Sequence, residues 1–527
     1  MSDSMFTRRR VIQVGTLAGL GAMGLGGVAG CGGGSSSPGE AAGRSGSPRR
    51  GGTLRFAITD ASTSEKLDPA LAVTTNDSVY GAQIFEGLVE TDLEFTPLPA
   101  LATRWSANDS ATKWTFELRD GVAFHDGTPL TAEDVVFSLR RILDESVGSP
   151  GLVLLGPVLK PGGIRAQDDR TVVFDLQQPT AILPVILAQR HMKIVKDGTK
   201  EFTVETAVGT GPFKLESWKA GINWSVVRND AYWESDKPYL DGIEAVVIPD
   251  QSTKVQSVVS GRNHFGDGID FSLFSTVESS GKAELKVLPY NQGFGIIFDR
   301  NQAPFTDERV FRAVQMAQNR EQILSAGIQS KGHITADVPV ATDDAYFPAS
   351  LSLEQDIEGA KRLLAEAGFP DGIDIELNTS AVAPGMVEVA QAFQQTVEPA
   401  GVRVKVKQSA TSSYYSKVWM KTPVFMDYFS HYHPIVALTL YYASDAVWNE
   451  SGHKDPELDR MITTAVATLD EKEQQAATQK AYEHAAKTHG YAMPALGDLA
   501  FVQKPGVEDV TLDYNNRLLF KAAWLSA

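Results

Sequence analysis

Cysteine is nearly absent. A single residue, Cys31, serves the whole 527-residue chain, so no disulfide can form within it, and everything beyond Cys31 lacks sulfur nucleophiles and thiolate metal ligands. Positive charge is also in short supply. With 48 basic against 65 acidic residues the formal charge is -17, which excludes the basic stripe that a nucleic-acid binder needs to replace phosphate counterions. Recognisable catalytic constellations are missing too: there is no Gly-x-Ser-x-Gly and no His-Glu-x-x-His, which argues against a secreted hydrolase. Nor is there a Gly-x-x-x-x-Gly-Lys-Ser/Thr phosphate loop, so any work driven by ATP must be done by other chains.

What remains is an ordinary globular composition, 43% hydrophobic and 21% charged. A single core stops growing at about 250 to 300 residues, so a chain of this length predicts several lobes.

The first residues read as an address. Arg8 and Arg9, within Thr7-Arg8-Arg9-Arg10-Val11-Ile12-Gln13, stand directly before the apolar run Val11 to Ala29 and resemble a twin-arginine export signal. Six glycines weaken that run as a membrane helix, which favours a cleaved signal over a span. It ends Val28-Ala29-Gly30-Cys31, which resembles the lipobox of bacterial lipoproteins, in which the cysteine sulfur receives diacylglycerol. Residues 1–30 are therefore expected to be removed and Cys31 to become a lipidated N-terminus. Gly19-Leu20-Gly21-Ala22-Met23-Gly24 matches a dinucleotide fingerprint in form only, because no strand precedes it. Residues 31–52, rich in Gly, Ser, Pro and Arg, predict a flexible tether reaching about 25 Å.

From Thr53 the pattern alternates between strand and helix. Leu54, Phe56 and Ile58 share one face of a strand, and Trp114, Phe116 and Leu118 share another that runs into the Asp120-Gly121 turn. Helical spacing predicts a helix from Asp77 to Glu90, with Asp77 or Ser78 as its cap, and a second opening at Thr131-Ala132-Glu133-Asp134. Ile373 to Leu377, Met386 to Glu398 and Val402 to Val406 read as a βαβ unit. Asp455 to Lys487 reads as helical, and Ala500 to Val502 as a returning strand. The fold class is α/β.

Several segments carry a family resemblance by their order and spacing. They are Leu67-Asp68-Pro69-Ala70, Ile84-Phe85-Glu86-Gly87-Leu88, Pro99 to Ala102, Phe116 to Phe124 and His125-Asp126-Gly127 through Val136. Further on come Gly209-Thr210-Gly211-Pro212-Phe213, Arg228 to Trp233, Pro304 to Asp307, Ala360 to Gly368 and Asn449 to Asp459. Together they resemble extracellular solute-binding protein family 5, whose members include dipeptide, oligopeptide and nickel-complex binders.

The resemblance implies a three-lobed periplasmic-binding-protein-like fold, two α/β lobes enclosing ligand plus an inserted lobe. The expected boundaries are 53–75 with 207–293 and 495–527 for lobe I, 76–206 for lobe II and 294–494 for lobe III, with a hinge near Asn291-Gln292-Gly293. It also implies a substrate-binding lipoprotein of an ABC importer, expected as a monomer outside the cytoplasm. Such a protein captures a peptide or peptide-like solute and hands it to membrane permease subunits, without cofactor, metal or catalysis. Other solutes on the same scaffold, such as a metal-chelator complex, a glycoside or an anionic compound, stay open.

Candidate ligand residues follow from that resemblance. Ser62 and Thr63 lie in the loop after the first strand, where relatives offer backbone groups to an extended ligand. Tyr80, Phe294 and Tyr428 are aromatics suited to a pocket wall, each equally suited to a core. Asp427-Tyr428-Phe429-Ser430-His431-Tyr432-His433-Pro434 falls where peptide-binding relatives show a pattern resembling Trp-x-x-Asp-Tyr-x-Asp-Pro, whose aspartate commonly meets the peptide amine. Here His431 and His433 are read in place of those acids, so amine recognition does not carry over, and Asp427 is out of register to replace it. Two histidines at i and i+2 make an incomplete metal site, and packing at a lobe junction competes with ligand contact. His125-Asp126-Gly127 reads as turn chemistry between strand and helix rather than as a base and its orienter.

Overall fold

The computed structural model describes residues 47–515 and 517–526, so Arg8, Arg9 and Cys31 lie outside the described residues. Its largest element is a mixed sheet of 11 strands. Ten follow the order Val402–Ser409, Ile373–Ser380, Val424–Ser430, Glu284–Phe298, Tyr491–Gln503, Phe265–Ile269, Thr53–Ile58, Gly242–Val247, Asn223–Arg228 and Phe213–Lys219, and Gly332–Ile334 pairs with Tyr491–Gln503. Leu54, Phe56 and Ile58 are all fully buried, as the alternation of the first strand predicts.

Two long antiparallel strands run through the middle of this sheet. Glu284–Phe298 pairs with Tyr491–Gln503 from Glu284 opposite Gln503 to Ile297 opposite Tyr491, and its second half, from Gln292, also pairs with Val424–Ser430. The expected hinge at Asn291-Gln292-Gly293 lies beside an irregularity in this pair, since the register shifts between Leu288 and Gln292, where Tyr290 holds a φ of 54°. A bulky residue in the left-handed region persists only where its surroundings over-determine it, and here the Tyr290 amide is held by the Asp498 carboxylate at 3.2 Å.

A separate antiparallel sheet orders Ala102–Ala107, Lys113–Leu118, Thr171–Asp175 and Ile164–Asp168. It buries Trp114, Phe116 and Leu118 beneath the helix Ala132–Ile142. That helix begins as its sequence predicts, with the Asp134 carboxylate accepting from both the Thr131 amide and hydroxyl. The βαβ unit is also present: Ile373–Ser380 and Val402–Ser409 pair in parallel, joined through the helix Met386–Val397.

One expectation is corrected. The helix predicted from Asp77 to Glu90 is Thr75–Ile84, capped by the Thr74 hydroxyl on the Asp77 amide, and Val89–Thr91 is a strand. The error has a local cause, because Asp77 sits in the first turn and turns its carboxylate back to the Val73 amide at 2.8 Å. Val79, Tyr80, Ile84 and Phe85 of this helix and the residue after it pack in the same core as Leu54, Phe56 and Phe213.

The segments that carry the resemblance converge on one structural knot. Glu86 is buried and accepts from the Tyr232 hydroxyl at 2.7 Å, the Trp233 indole at 3.0 Å and the Thr210 hydroxyl at 2.9 Å. A Cβ on Gly209 would lie 1.9 Å from the Ile84 carbonyl oxygen, so only glycine allows that approach. His125 joins the same knot through its amide to Gly209 at 2.8 Å and its ring Nε2 against the Gly211 carbonyl at 3.0 Å. Burial drives its pKa down to about 4, which suits a neutral structural imidazole.

Candidate functional site

A cavity of about 230 Å³ opens where the chain's distant segments meet. Its walls come from Ala72 and Val73, the turn containing Val153 and Leu154, Gln189 to His191, Ser430 to Tyr432, Trp448, and Tyr514 with Asn515. The strand Val424–Ser430 positions one wall. It delivers Ser430-His431-Tyr432 just past its end, before the helix Pro434–Tyr441 turns the chain away.

That turn explains the two histidines. Proline at the first helical position suits the helix start, and His433 is its cap, with Nδ1 accepting from the Ile435 amide at 3.2 Å. His433 is buried and does not line the cavity; its ring meets Tyr346 at 5.2 Å and Phe95 at 6.0 Å between centroids. His431 does line it, packed edge-on or tilted against Tyr514 at 4.5 Å, Phe95 at 5.2 Å and Tyr290 at 6.2 Å between ring centroids. Burial pushes the His431 pKa down to about 4 and that of His433 to about 3, so both are neutral at pH 7. Counting back from Pro434, Ser430 rather than His431 occupies the position of the first aspartate in the expected pattern, and His433 that of the second.

Phe95 ties this cluster to another part of the chain. It sits at the tip of the hairpin between Val89–Thr91 and Pro97–Pro99 with a φ of 60°, held because the Asp92 carboxylate accepts from the Glu94 and Thr96 amides. Its ring stacks on Tyr514 at 5.2 Å.

The other predicted site residues lie elsewhere. Tyr80 is 1% exposed, gives its hydroxyl to the Lys66 carbonyl at 2.7 Å and packs edge-on against Trp224, so it is a core residue. Phe294 is fully buried, fitted between Gly385 and Gly497, and is likewise core. Both were read from aromatic character alone, which a core satisfies equally well. Ser62 and Thr63 lie against Gly221, whose φ of +66° and lack of a Cβ permit the contact. They are not brought to the cavity, and the stretch just before the next helix, Ala72 and Val73, lines it instead. Tyr428 is half-exposed, opposite Phe294 in the strand pairing, and outside the cavity.

Asp427 does not line the cavity and meets Glu450, which also accepts from the Trp419 indole at 3.1 Å. The two carboxyls are buried side by side, and both pKa values are raised, that of Asp427 to about 6, chiefly by burial. No acid among the described residues lines the cavity, while one cation does. Arg190 makes no ion pair with any described residue and is the cavity's only arginine or lysine among them; Asp77 feels its charge without pairing with it. Its singleton position in Gln189-Arg190-His191 carries no motif, which is why sequence reasoning missed it. His191 beside it is fixed structurally, its Nε2 2.8 Å from the Ala72 carbonyl.

Against this geometry, the family model for bacterial extracellular solute-binding proteins, family 5 (Middle), matches residues 96–447. The chain belongs to family 5. These are the solute-binding proteins of ABC transporters. The periplasmic oligopeptide-binding protein OppA of Salmonella typhimurium is 26% identical over 441 residues, covering 77% of this chain and 80% of that relative. The substrate-binding protein CtaP of Listeria monocytogenes superposes with a TM-score of 0.79 at 23% identity, covering 91% of this chain and 100% of its own. The family 5 fold recurs in DppA of Helicobacter pylori, solved with the peptide STSA, at a TM-score of 0.74 and 23% identity, covering 91% and 99%. The α/β, multi-lobed fold is that of these family members. Its relatives are binding proteins rather than enzymes, and no helix among the described residues is long and apolar enough to cross a membrane.

Proposed function

We propose that this family 5 protein captures a carboxylate-bearing, peptide-like solute in the cavity around Arg190 and His431 and delivers it to the permease of an ABC importer. The observation that carries the reading is Arg190, a guanidinium at a cavity wall with no ion-pair partner among the described residues. A guanidinium fork matches a carboxylate bidentately, and an anionic ligand group supplies the charge that the cavity itself does not. The neutral imidazole of His431 adds a hydrogen-bonding group but no charge at pH 7. Because Asp427 meets Glu450 rather than lining the cavity, a free peptide amine has no ionic partner among the described lining residues, which favours ligands with a blocked or missing amine. Oligopeptide binding by OppA and peptide binding by DppA are consistent with a peptide-like frame.

In this reading Cys31 carries the lipid that holds the body outside the cytoplasm at the cell membrane, Arg8 and Arg9 send it there, and the tether lets a monomer reach the permease. Ligand contacts to several lobes at once shift the population toward the closed form. Native mass spectrometry of freshly purified protein, before and after mild denaturation, tests the ligand class. A co-purifying carboxylate that is lost in Arg190→Ala is expected; an unchanged complement in that variant would remove Arg190 from recognition.

A further inference from the structure

A second and larger cavity, about 990 Å³, lies on the other side of the turn that carries Val153 and Leu154. One wall holds Leu152, Val158 and Ile182, and the other holds Leu440, Ile462 and Val466. Apart from the exposed side chains of Glu145, Lys160, Gln178 and Asp445, its polar wall groups are already committed. The Thr180 hydroxyl donates to the Gln178 carbonyl at 3.1 Å, that of Thr439 to Val436 at 2.8 Å and that of Thr463 to Asp459 at 2.8 Å. Ser444 accepts the Asp455 amide on its hydroxyl at 2.9 Å and gives its own amide to the Asp459 carboxylate at 2.9 Å. Beyond those exposed polar side chains, a ligand entering this chamber meets methyl groups and satisfied hydroxyls, a lining that rewards apolar surface more than a further polar group.

Two observations tie the chamber to the Arg190 cavity. Val153 and Leu154 line both, so one short turn is the shared wall. The two faces of the chamber are also joined directly, by the Ala181 amide donating to the Val466 carbonyl at 2.7 Å, so the enclosure exists only while these faces are together.

We infer that the chamber receives an apolar arm of the same ligand whose carboxylate meets Arg190, making the solute class amphipathic: a carboxylate or peptide-like head with a long aliphatic or bulky apolar substituent. This rests on the reading of the Arg190 cavity as the ligand site. The volume is at the top of the range of about 300 to 1,000 Å³ common for small-molecule sites, and the arm passes over Val153 and Leu154.

Calorimetric titration of the full mature chain with two probes that share a head, N-acetylglycine and N-octanoylglycine, tests this. The octanoyl probe is expected to bind at least tenfold more tightly. Leu152→Trp and Thr463→Trp, at half-buried and exposed positions of the chamber wall, are expected to erase that advantage while leaving N-acetylglycine binding within about twofold, which also reports that the variants are folded. Equal affinity of the two probes in the wild type, or an octanoyl advantage that survives both tryptophans, overturns the chamber while leaving the Arg190 site standing. Failure of both probes to bind overturns the carboxylate site, and the chamber inference falls with it.

Discussion

The hydroxyl of Tyr232 donates to the Glu86 carboxylate at 2.7 Å across 146 residues of sequence. With Trp233 and Thr210 on the same carboxylate and Lys521 nearby, this contact binds several of the segments that mark family 5 into one buried group. Removing it leaves three donors unpaired, so Glu86→Ala is expected to lower unfolding stability by about 3 to 5 kcal/mol. Affinity of the folded fraction for its solute is expected to stay unchanged. Chemical denaturation alongside binding titration checks both, and a variant of native stability would show that the knot contributes nothing.

What the sequence made legible was whatever has a short-range period. Trp114, Phe116 and Leu118 reveal their strand because side chains alternate with period two, and Thr131 with Asp134 reveals a helix start because capping is local. Asp77 misled for the same reason: it is a good cap residue three positions after a better placed one, Thr74. The cavity was far less legible. Only His431 of the predicted ligand residues lines it, visible because it sits in a motif, whereas Arg190, Trp448 and Tyr514 are single residues from segments far apart in sequence that only the tertiary fold brings together. Aromatic character did not separate Tyr80 and Phe294, which are core, from Trp448, which is wall.

Export is predicted to depend on the arginine pair. Changing both Arg8 and Arg9 to Lys is expected to leave precursor in the cytoplasm, because such signals are read by a receptor rather than by charge alone. Cys31→Ala is expected to release the body from the membrane fraction into the soluble one. Fractionation and mass spectrometry of the N-terminus check this, and an unmodified Cys31 in membrane-bound wild-type protein would retire the lipid anchor.

The two neighbouring histidines are predicted to separate. His431 lines the cavity, so His431→Ala is expected to weaken solute binding by about 1 to 3 kcal/mol, the range for a lost buried polar partner. His433 caps a helix, so His433→Ala is expected to cost about 0.5 to 2 kcal/mol of stability with affinity retained, and His433→Asn, which keeps a capping acceptor, to recover part of it. The sequence alone suggests an affinity change near pH 6.5, but burial lowers His431 to about 4, and its contribution to affinity is expected to be flat from pH 5.5 to 8. Stability behaves otherwise. A histidine with a depressed folded pKa contributes stability present above its unfolded value of 6.5 and lost as pH falls toward the folded value, here about 4 for His431 and 3 for His433. Calorimetry of wild type and both variants across this range separates the binding from the stability effect.

The buried pair Asp427 and Glu450 is predicted to act in the opposite sense. Both carboxyls have raised folded pKa values, so the favourable protonated state is fully populated below the unfolded value of 3.8 for Asp427 and is lost as pH rises through about 6. The cause is that two carboxylates this close cannot both ionise in a buried site without mutual repulsion and lost hydration, while one shared proton satisfies them. Asp427→Asn supplies a permanent neutral partner of the same shape. It is expected to match the wild type near pH 3.8 and exceed it at pH 7, the gap opening as pH rises from 3.8 through about 6 by at most about 1.4 kcal/mol per pH unit. Because the histidines destabilise the fold over the acid side of the same range, the comparison is made between variant and wild type at each pH, where their contribution cancels. A constant difference from pH 4 to 7 would mean that the pair is already ionised or separated in solution. A growing advantage for Asp427→Asn would confirm that this acid is turned into the lobe and withheld from the ligand cavity, which is the condition for the cavity to favour solutes without a free amine.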